Sequence, residues 1–159
     1  MINTDERFEK FIKFILKAEG GYVNDPKDAG GETKYGISKR AFPQYDIKNL
    51  TVDQAKQIYY NCYYKPCKAD KIEPELLALQ VFDFAVNAGI SRAIKAIQRV
   101  AEVKQDGILG TITFAKLQQK DYSHEYIAYR KNYYTNLDQP RFIKGWIYRV
   151  DECTKFINK

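Results

Sequence analysis

Glu19 is the residue whose position in this sequence most suggests acid–base chemistry. It follows Ile12, Ile15 and Leu16 at helical spacing, so it lies on the apolar stripe of a predicted helix, at its carboxyl end. Apolar neighbours and the negative end of a helix dipole both disfavour the charged form of a carboxylate. A carboxylic acid that keeps its proton near neutral pH can protonate the leaving oxygen of a glycosidic bond. The alternative is that the helix end is frayed and Glu19 points into solvent. Periodicity alone favours this alternative.

The loop that follows Glu19 carries further candidates for chemistry, Asp25, Asp28 and Thr33. A short hairpin after the helix could fold them over Glu19 and leave a cleft. A second carboxylate there could act as a base or stabilise an oxocarbenium-like transition state, and a hydroxyl could hold the attacking water. Aspartate also favours turns for local reasons. We interpret Asp25, which directly precedes a proline, as a turn residue, whereas for Asp28 both interpretations stay open.

Helical periodicity accounts for most of the chain and defines the elements that must position these residues. It predicts helices over about 4–19, 51–63, 76–88, 91–100, a short segment after 111, 123–137 and 140–157. The candidate helix caps are Asn3 (with Glu6), Thr51 (with Gln54) and Ser91. Residues 22–37 are rich in turn formers and predict an irregular loop and one small β-hairpin, with Gly30 and Gly31 near its turn.

The predicted fold class is therefore α+β and mostly α-helical, with one small β-hairpin after the first helix. A change of composition near Gly89 suggests two lobes packed into one globule, 1–89 and a helical lobe over 90–159. The first contains Glu19 and would be the catalytic lobe. The segment 76–88 is apolar nearly all round, which is typical of a buried central helix. Asp83 and Asn87 share one face of it, where they either hold neighbouring elements or bond a substrate amide; we favour the structural role. The segment 106–110 predicts a turn between two helices.

Composition narrows the classes of function. The formal charge of +6 favours polyanionic partners, yet no predicted helix carries the dense Lys/Arg face of a nucleic-acid binder. Three cysteines without metal-binding spacing indicate reduced thiols, and we expect no metal and no other cofactor. No apolar run approaches the roughly 20 residues of a membrane span. Lysines interrupt the apolar residues of the N-terminus, so we expect no signal peptide and synthesis in the cytoplasm.

Four stretches of the sequence resemble one known family. They are EGGYVNDPKDAGGETKYGIS (19–38), FDFAVNAG (82–89), QRVAEVKQDGILGTITFAKL (98–117) and FIKGWIYRV (142–150). Together they are similar to glycoside hydrolase family 108, the N-acetylmuramidases found among phage endolysins and bacterial secretion-activator proteins. The resemblance implies a lysozyme-like fold, a peptidoglycan-binding C-terminal half, and cleavage of the β-1,4 bond between N-acetylmuramic acid and N-acetylglucosamine.

The same resemblance assigns roles to individual residues. Glu19 falls on the family's catalytic acid, and Asp28 and Thr33 fall on the family's Asp and Thr, which the resemblance also implies to be catalytic. Tyr35 and Tyr64 stand where many relatives are expected to carry tryptophan; tyrosine can still stack on a sugar. Most of the chain's other tyrosines are better interpreted as packing residues.

The expected substrate-binding set is Tyr35, Tyr64 and Asn87, and the expected partner is the peptidoglycan glycan strand. The protein would reach the wall through a holin or an export system and act as a monomer, without nucleic acid and without stable membrane insertion. The alternative function is a non-catalytic wall-binding or secretion-accessory protein on the same fold.

Overall fold

The computed structural model describes residues 5–27 and 31–159. The described residues form seven α-helices: α1 (Glu6–Glu19), α2 (Val52–Tyr59), α3 (Glu75–Ala88), α4 (Ile90–Val100), α5 (Thr111–Leu117), α6 (Ser123–Asn136) and α7 (Pro140–Ile157). Three short strands follow α1: β1 (Val23–Asn24), β2 (Glu32–Lys34) and β3 (Ile37–Ser38). The predicted fold class, mostly helical with a small antiparallel sheet after the first helix, is confirmed.

The chain divides into two compact units, Met1–Asn61 and Cys62–Lys159. Gly89, the predicted boundary between two lobes, lies inside the second unit, between α3 and α4, which pack against each other. The assignment of different functions to 1–89 and 90–159 stays a prediction.

The first helix forms because its apolar residues make one buried stripe. Phe8, Phe11, Ile12 and Ile15 have no exposed surface. The helix is capped by Asp5, whose carboxylate accepts a hydrogen bond of 2.6 Å from the Phe8 N–H. The capping box predicted from Asn3 is therefore wrong, because Asp5 is the N-cap and the helix begins at Glu6. Asn3 itself lies outside the described residues. An aspartate carboxylate that accepts a hydrogen bond from the third helical N–H caps a helix as well as an asparagine side chain does.

Helix α1 ends at Gly20, whose φ of 77° lies in the left-handed region open to glycine. The sheet then runs β1–β2–β3, with Val23 opposite Thr33 and Lys34 opposite Ile37. It holds one hairpin more than the sequence predicts. Gly31 lies in the connection from β1 to β2, while Gly30 lies outside the described residues.

The additional hairpin is the turn at Tyr35 and Gly36 between β2 and β3. Both residues have positive φ, 53° and 79°, as the tightest hairpin turns require. Tyrosine rarely adopts this conformation, so the sequence gives little signal for a turn here.

Helix α2 begins where predicted. Thr51 Oγ1 accepts from the Gln54 N–H at 3.1 Å, and Gln54 Oε1 accepts from the Thr51 N–H at 2.9 Å, which is a complete capping box. The helix continues as a π-helical turn over Tyr60–Tyr64, so helical structure ends close to the predicted position.

The second unit is built around α3, which is buried along most of its length and packs against α4, α6 and α7. Helix α4 has Gly89 as its N-cap, so the cap predicted at Ser91 is wrong. Glycine at a φ of 98° turns the chain sharply between α3 and α4, and Ser91 falls in the first helical turn instead. No helix in the described ranges is long and apolar enough to cross a membrane.

The turn after α4 is confirmed as a connector between helices, and α4 itself fastens it. The Gln98 side chain accepts a hydrogen bond from the Gly107 N–H at 2.9 Å and donates one to Asp106 at 2.8 Å. Asp106 also accepts from the Ile108 N–H at 2.9 Å. Gln98 is almost fully buried, so the connector is held rigidly against the helix.

Candidate active site

Glu19 lies directly beneath the hairpin turn. A Cβ built on Gly36 would lie 2.8 Å from Glu19 Cγ and 2.9 Å from Glu19 Cβ, so the turn rests on the aliphatic stem of the acid. Glu19 is neither buried nor fully exposed. The turn between β2 and β3 thus contacts the end of α1, whereas the sequence predicts a single hairpin with its turn near Gly30 and Gly31. This contact holds the stem of the carboxylic acid.

Tyr59 on α2 fixes the turn from its other side. Its hydroxyl donates a 2.6 Å hydrogen bond to the carbonyl oxygen of Tyr35, and the ring is almost fully buried. The same hydroxyl would lie 2.5 Å from a Cβ at Gly36. Sequence analysis missed this role, since it treated the clustered tyrosines as packing residues. No local pattern links a helix residue to a turn 24 positions earlier.

The sheet carries the other candidates of the first unit. Thr33 lies in the middle of β2, the strand that leads into the turn, and it is half-buried. Asp25 accepts a 2.9 Å hydrogen bond from the Lys27 N–H, which is the local turn interaction expected of it. Asp28 lies outside the described residues.

Glu32 is a carboxylate that sequence analysis overlooked. It lies on β2 beside Thr33 and opposite Asn24. The pKa of the Tyr22 phenol is raised, first by desolvation and then by the negative charge of Glu32, with which it shares a hydrogen bond. Among the described residues, Glu32 is thus an acid on the sheet that follows α1, in addition to Glu19 at the end of that helix.

Tyr35 and Tyr64, the two predicted sugar-stacking residues, differ in their surroundings. Tyr35 sits in the hairpin turn, half-buried, with the Lys34 ammonium 5.5 Å from its ring centroid. Tyr64 is fully buried in the second unit, and its ring packs edge-on against Phe82 at a centroid distance of 5.3 Å. A ring with no exposed surface offers no face to a sugar, so the burial of Tyr64 argues for a packing role.

Asn87 belongs to the second unit, at the last turn of α3, and its side chain is exposed. The Tyr134 hydroxyl accepts a hydrogen bond from Arg130 at 2.9 Å, so its own proton is directed to Asn87 Oδ1 at 2.6 Å. Burial raises the pKa of Tyr134, and the hydroxyl therefore keeps this proton. The amide oxygen of Asn87 is fixed, which leaves the NH₂ group in a defined orientation at the surface.

This arrangement rests on a buried ion cluster around Asp83. Arg130, also fully buried, donates to one carboxylate oxygen at 3.0 Å, and Arg149 donates to the other at 2.7 Å and 2.9 Å. Burial opposes ionisation of Asp83, but the charges of Arg149 and Arg130 outweigh it, and the pKa of the carboxyl is lowered. The structural role favoured for Asp83 from the sequence matches this geometry, although the sequence did not identify its partners.

We expect Asp83→Asn to lower the free energy of unfolding by about 3–5 kcal/mol, since it leaves the buried Arg130 without its countercharge. The control is Asp151→Asn, which breaks an exposed ion pair with Lys131 and should cost less than about 1 kcal/mol. Denaturant unfolding at neutral pH measures both variants, and equal losses would contradict the expected role of the cluster.

The same cluster predicts a pH dependence. Because the pKa of Asp83 is lowered on folding, its contribution to stability is present above the unfolded-state pKa of about 3.9. That contribution is lost as the pH falls through the lower, folded-state pKa. The acid-induced loss of stability should therefore be smaller in Asp83→Asn than in the wild type.

The cysteines are free thiols, and burial raises the pKa of Cys67 to about 12. Within the described ranges, no three His, Cys, Asp or Glu side chains form a cluster suited to a metal ion.

Comparison with known proteins adds to this geometry. The family model described as glycosyl hydrolase 108 matches residues 12–89, a range that contains Glu19 and the whole sheet. The solved structure of SagA from Brucella abortus superposes with a TM-score of 0.83, at 30% sequence identity over 95% of this chain and 94% of that one. No curated protein sequence is significantly similar to the chain. Since the likeness to SagA extends over nearly the whole of both chains and the family model matches the segment around Glu19, this protein belongs to glycosyl hydrolase family 108 and is a glycoside hydrolase by fold and family.

Proposed function

We propose that this protein is a peptidoglycan hydrolase of the N-acetylmuramidase type, which cleaves the β-1,4 bond between N-acetylmuramic acid and N-acetylglucosamine. The observation that carries the proposal is the position of Glu19, a carboxylic acid at a helix end whose stem is clamped by the Tyr35–Gly36 turn. Membership of a glycosyl hydrolase family supports the reaction class. The sequence likeness to muramidases, and a net charge of +6 suited to an anionic wall, support the substrate.

In the proposed reaction, Glu19 donates its proton to the glycosidic oxygen as the bond to the muramic acid carbon breaks. Positive charge then develops on the sugar ring, and water adds at that carbon. Asp28 acts as the second carboxylate, either as a base for this water or as an electrostatic stabiliser, and Thr33 holds the water through its hydroxyl. Tyr35 contacts a sugar face, and the fixed NH₂ group of Asn87 donates a hydrogen bond to a substrate carbonyl.

The products of digestion test this proposal against the alternative of a wall-binding accessory protein. Purified sacculi are incubated with the protein, the soluble products are reduced with borohydride, and mass spectrometry identifies the reduced sugar. A muramidase leaves reduced muramic acid at the new ends. Reduced glucosamine ends or cleaved peptides would overturn the bond assignment, whereas binding to sacculi without soluble products would favour the accessory protein.

The proposed catalytic roles of Asp28 and Thr33 lead to a separate prediction. Asp28→Asn should reduce glycan cleavage by about a hundredfold or more if the carboxylate is a base or stabiliser, whereas asparagine would suit a turn equally well. Thr33→Val should give a smaller loss, since water can still enter the site. Initial rates of product release measure both variants.

Glu32→Gln serves as the matched control for Asp28→Asn, because it also neutralises an acid of the same loop and sheet region. A near-wild-type rate for Asp28→Asn together with a large loss in Glu32→Gln would transfer the second carboxylate role to Glu32.

A further inference from the structure

The second unit contains a cavity of about 430 Å³ at the start of α4. Its polar lining consists of Ser91, Arg92, Lys95, Gln105 and Tyr129, and Gly89, between α3 and α4, also lines it. None of the proposed catalytic residues lines it.

Two cationic side chains converge on this cavity. The Arg92 guanidinium lies 4.9 Å from the ring centroid of Tyr133 and donates a long hydrogen bond of 3.5 Å to the Ala88 carbonyl, and both contacts orient it. Lys95 follows on the same face of α4. Of the described residues that line the cavity, none is acidic. The cavity is therefore a concave and positively charged surface.

The turn after α4, which contributes Gln105 to the cavity lining, is held against the helix. A Cβ at Gly107 would lie 3.5 Å from Lys95 Cε and 3.7 Å from Ser91 Oγ, so the turn after α4 packs along both side chains. Gln98 fastens that turn to the helix through its hydrogen bonds to Gly107 and Asp106. A preformed site loses less conformational entropy on binding than a mobile one.

The backbone adds to the positive potential. Helix α4 has 11 residues, and no side chain caps its N-terminus, which opens towards the cavity at Gly89 and Ile90. The positive end of the helix dipole and the two cations therefore act together on any anion that enters.

We propose that this cavity binds a carboxylate of the peptidoglycan stem peptide. The proposal rests on the proposed function, which brings peptidoglycan to this protein. The cavity begins at Ala88, directly after Asn87, whose fixed NH₂ group is the proposed contact to the glycan strand. The peptides are attached to the muramic acid residues of that strand and end in free carboxylates. A strand held at Asn87 thus brings a carboxylate to Arg92 and Lys95.

The experiment titrates the ¹⁵N-labelled full chain with stem peptide released from sacculi by an amidase and separated from all sugar. We expect shifts of the backbone N–H signals at the start of α4 and at Gly107. The double variant Arg92→Gln/Lys95→Gln should bind the peptide about tenfold more weakly, as expected for two solvent-accessible charge pairs. The control variant Arg99→Gln/Lys144→Gln removes the same charge from exposed positions outside the cavity and should bind like the wild type.

Two further probes identify the anion. A stem peptide with amidated carboxylates should not bind, and inorganic phosphate should compete only weakly. The proposal is overturned if the amidated peptide binds equally well, if phosphate binds more tightly than the peptide, or if both double variants lose the same affinity. Because the free peptide contains no glycosidic bond, its binding is independent of cleavage. An incorrect muramidase assignment would be detected separately, from the reduced sugar in the digestion products.

Discussion

Glu19→Gln is expected to fold like the wild type and to lose glycan cleavage by about a hundred- to ten-thousand-fold. The amide keeps the shape of the side chain and its contacts with the Tyr35–Gly36 turn, but it has no proton to transfer to the leaving oxygen. Initial rates of product release from purified sacculi measure the loss, and circular dichroism melting measures the fold.

The matched control is Glu9→Gln, the same substitution on the same helix. Glu9 forms a solvent-accessible ion pair with Lys56 at 3.2 Å, so its loss should cost less than about 1 kcal/mol of stability and leave the rate unchanged. A rate for Glu19→Gln within a few-fold of the wild type would contradict the assignment of the general acid.

The second large effect is expected at Gly36. An alanine there must adopt a φ of 79° and place its Cβ 2.5 Å from the Tyr59 hydroxyl and 2.8 Å from Glu19 Cγ. Neither neighbour yields easily, since Tyr59 is buried and hydrogen-bonded to Tyr35 and the stem of Glu19 lies at the end of α1. We expect the strained φ and the overpacking together to lower the free energy of unfolding by about 2–4 kcal/mol.

Activity should fall as well, because the substitution displaces the acid or the turn that clamps it. A displacement of about 1 Å can cost on the order of a hundredfold in rate. The loss should appear in kcat under conditions where the variant remains folded.

Gly31→Ala separates the strained φ from the overpacking as causes of the losses expected in Gly36→Ala. Gly31 has a φ of 69°, similar to that of Gly36, but nothing lies within 4 Å of the added Cβ. It should lose only about 1 kcal/mol of stability, from the strained backbone, and retain its activity. Equal effects at the two glycines would show that contact with Glu19 and Tyr59 has no part in positioning the acid.

The sequence alone determined those features that depend on neighbours within a few positions. The periodicity of α1 placed Glu19 on the apolar stripe, and the pair Thr51 and Gln54 marked the start of α2. The turn at Asp106 was predicted from the same kind of local signal and is present. These predictions succeed because helix periodicity and capping are short-range interactions.

The tertiary structure alone decided the contacts between distant segments. Arg130 and Arg149 reach Asp83 across 47 and 66 positions, and only packing of α3 against α6 and α7 reveals that pairing. The burial of Tyr64 depends likewise on Phe82, which belongs to another helix. Local patterns show that a residue is aromatic or charged, but they do not show what lies opposite it in the folded chain.

The candidate site combines both kinds of information. The sequence offered Glu19 as the candidate acid and predicted one hairpin after it, whereas the second hairpin, whose turn at Gly36 contacts Glu19, emerged only from the fold. Tyr59 was counted among the packing residues, because its hydrogen bond to Tyr35 joins a helix to a turn 24 positions away. The sequence shows which residue types can transfer a proton. The clamp that holds Glu19 depends on contacts among α1, α2 and the Tyr35–Gly36 turn, and these contacts form only in the folded state.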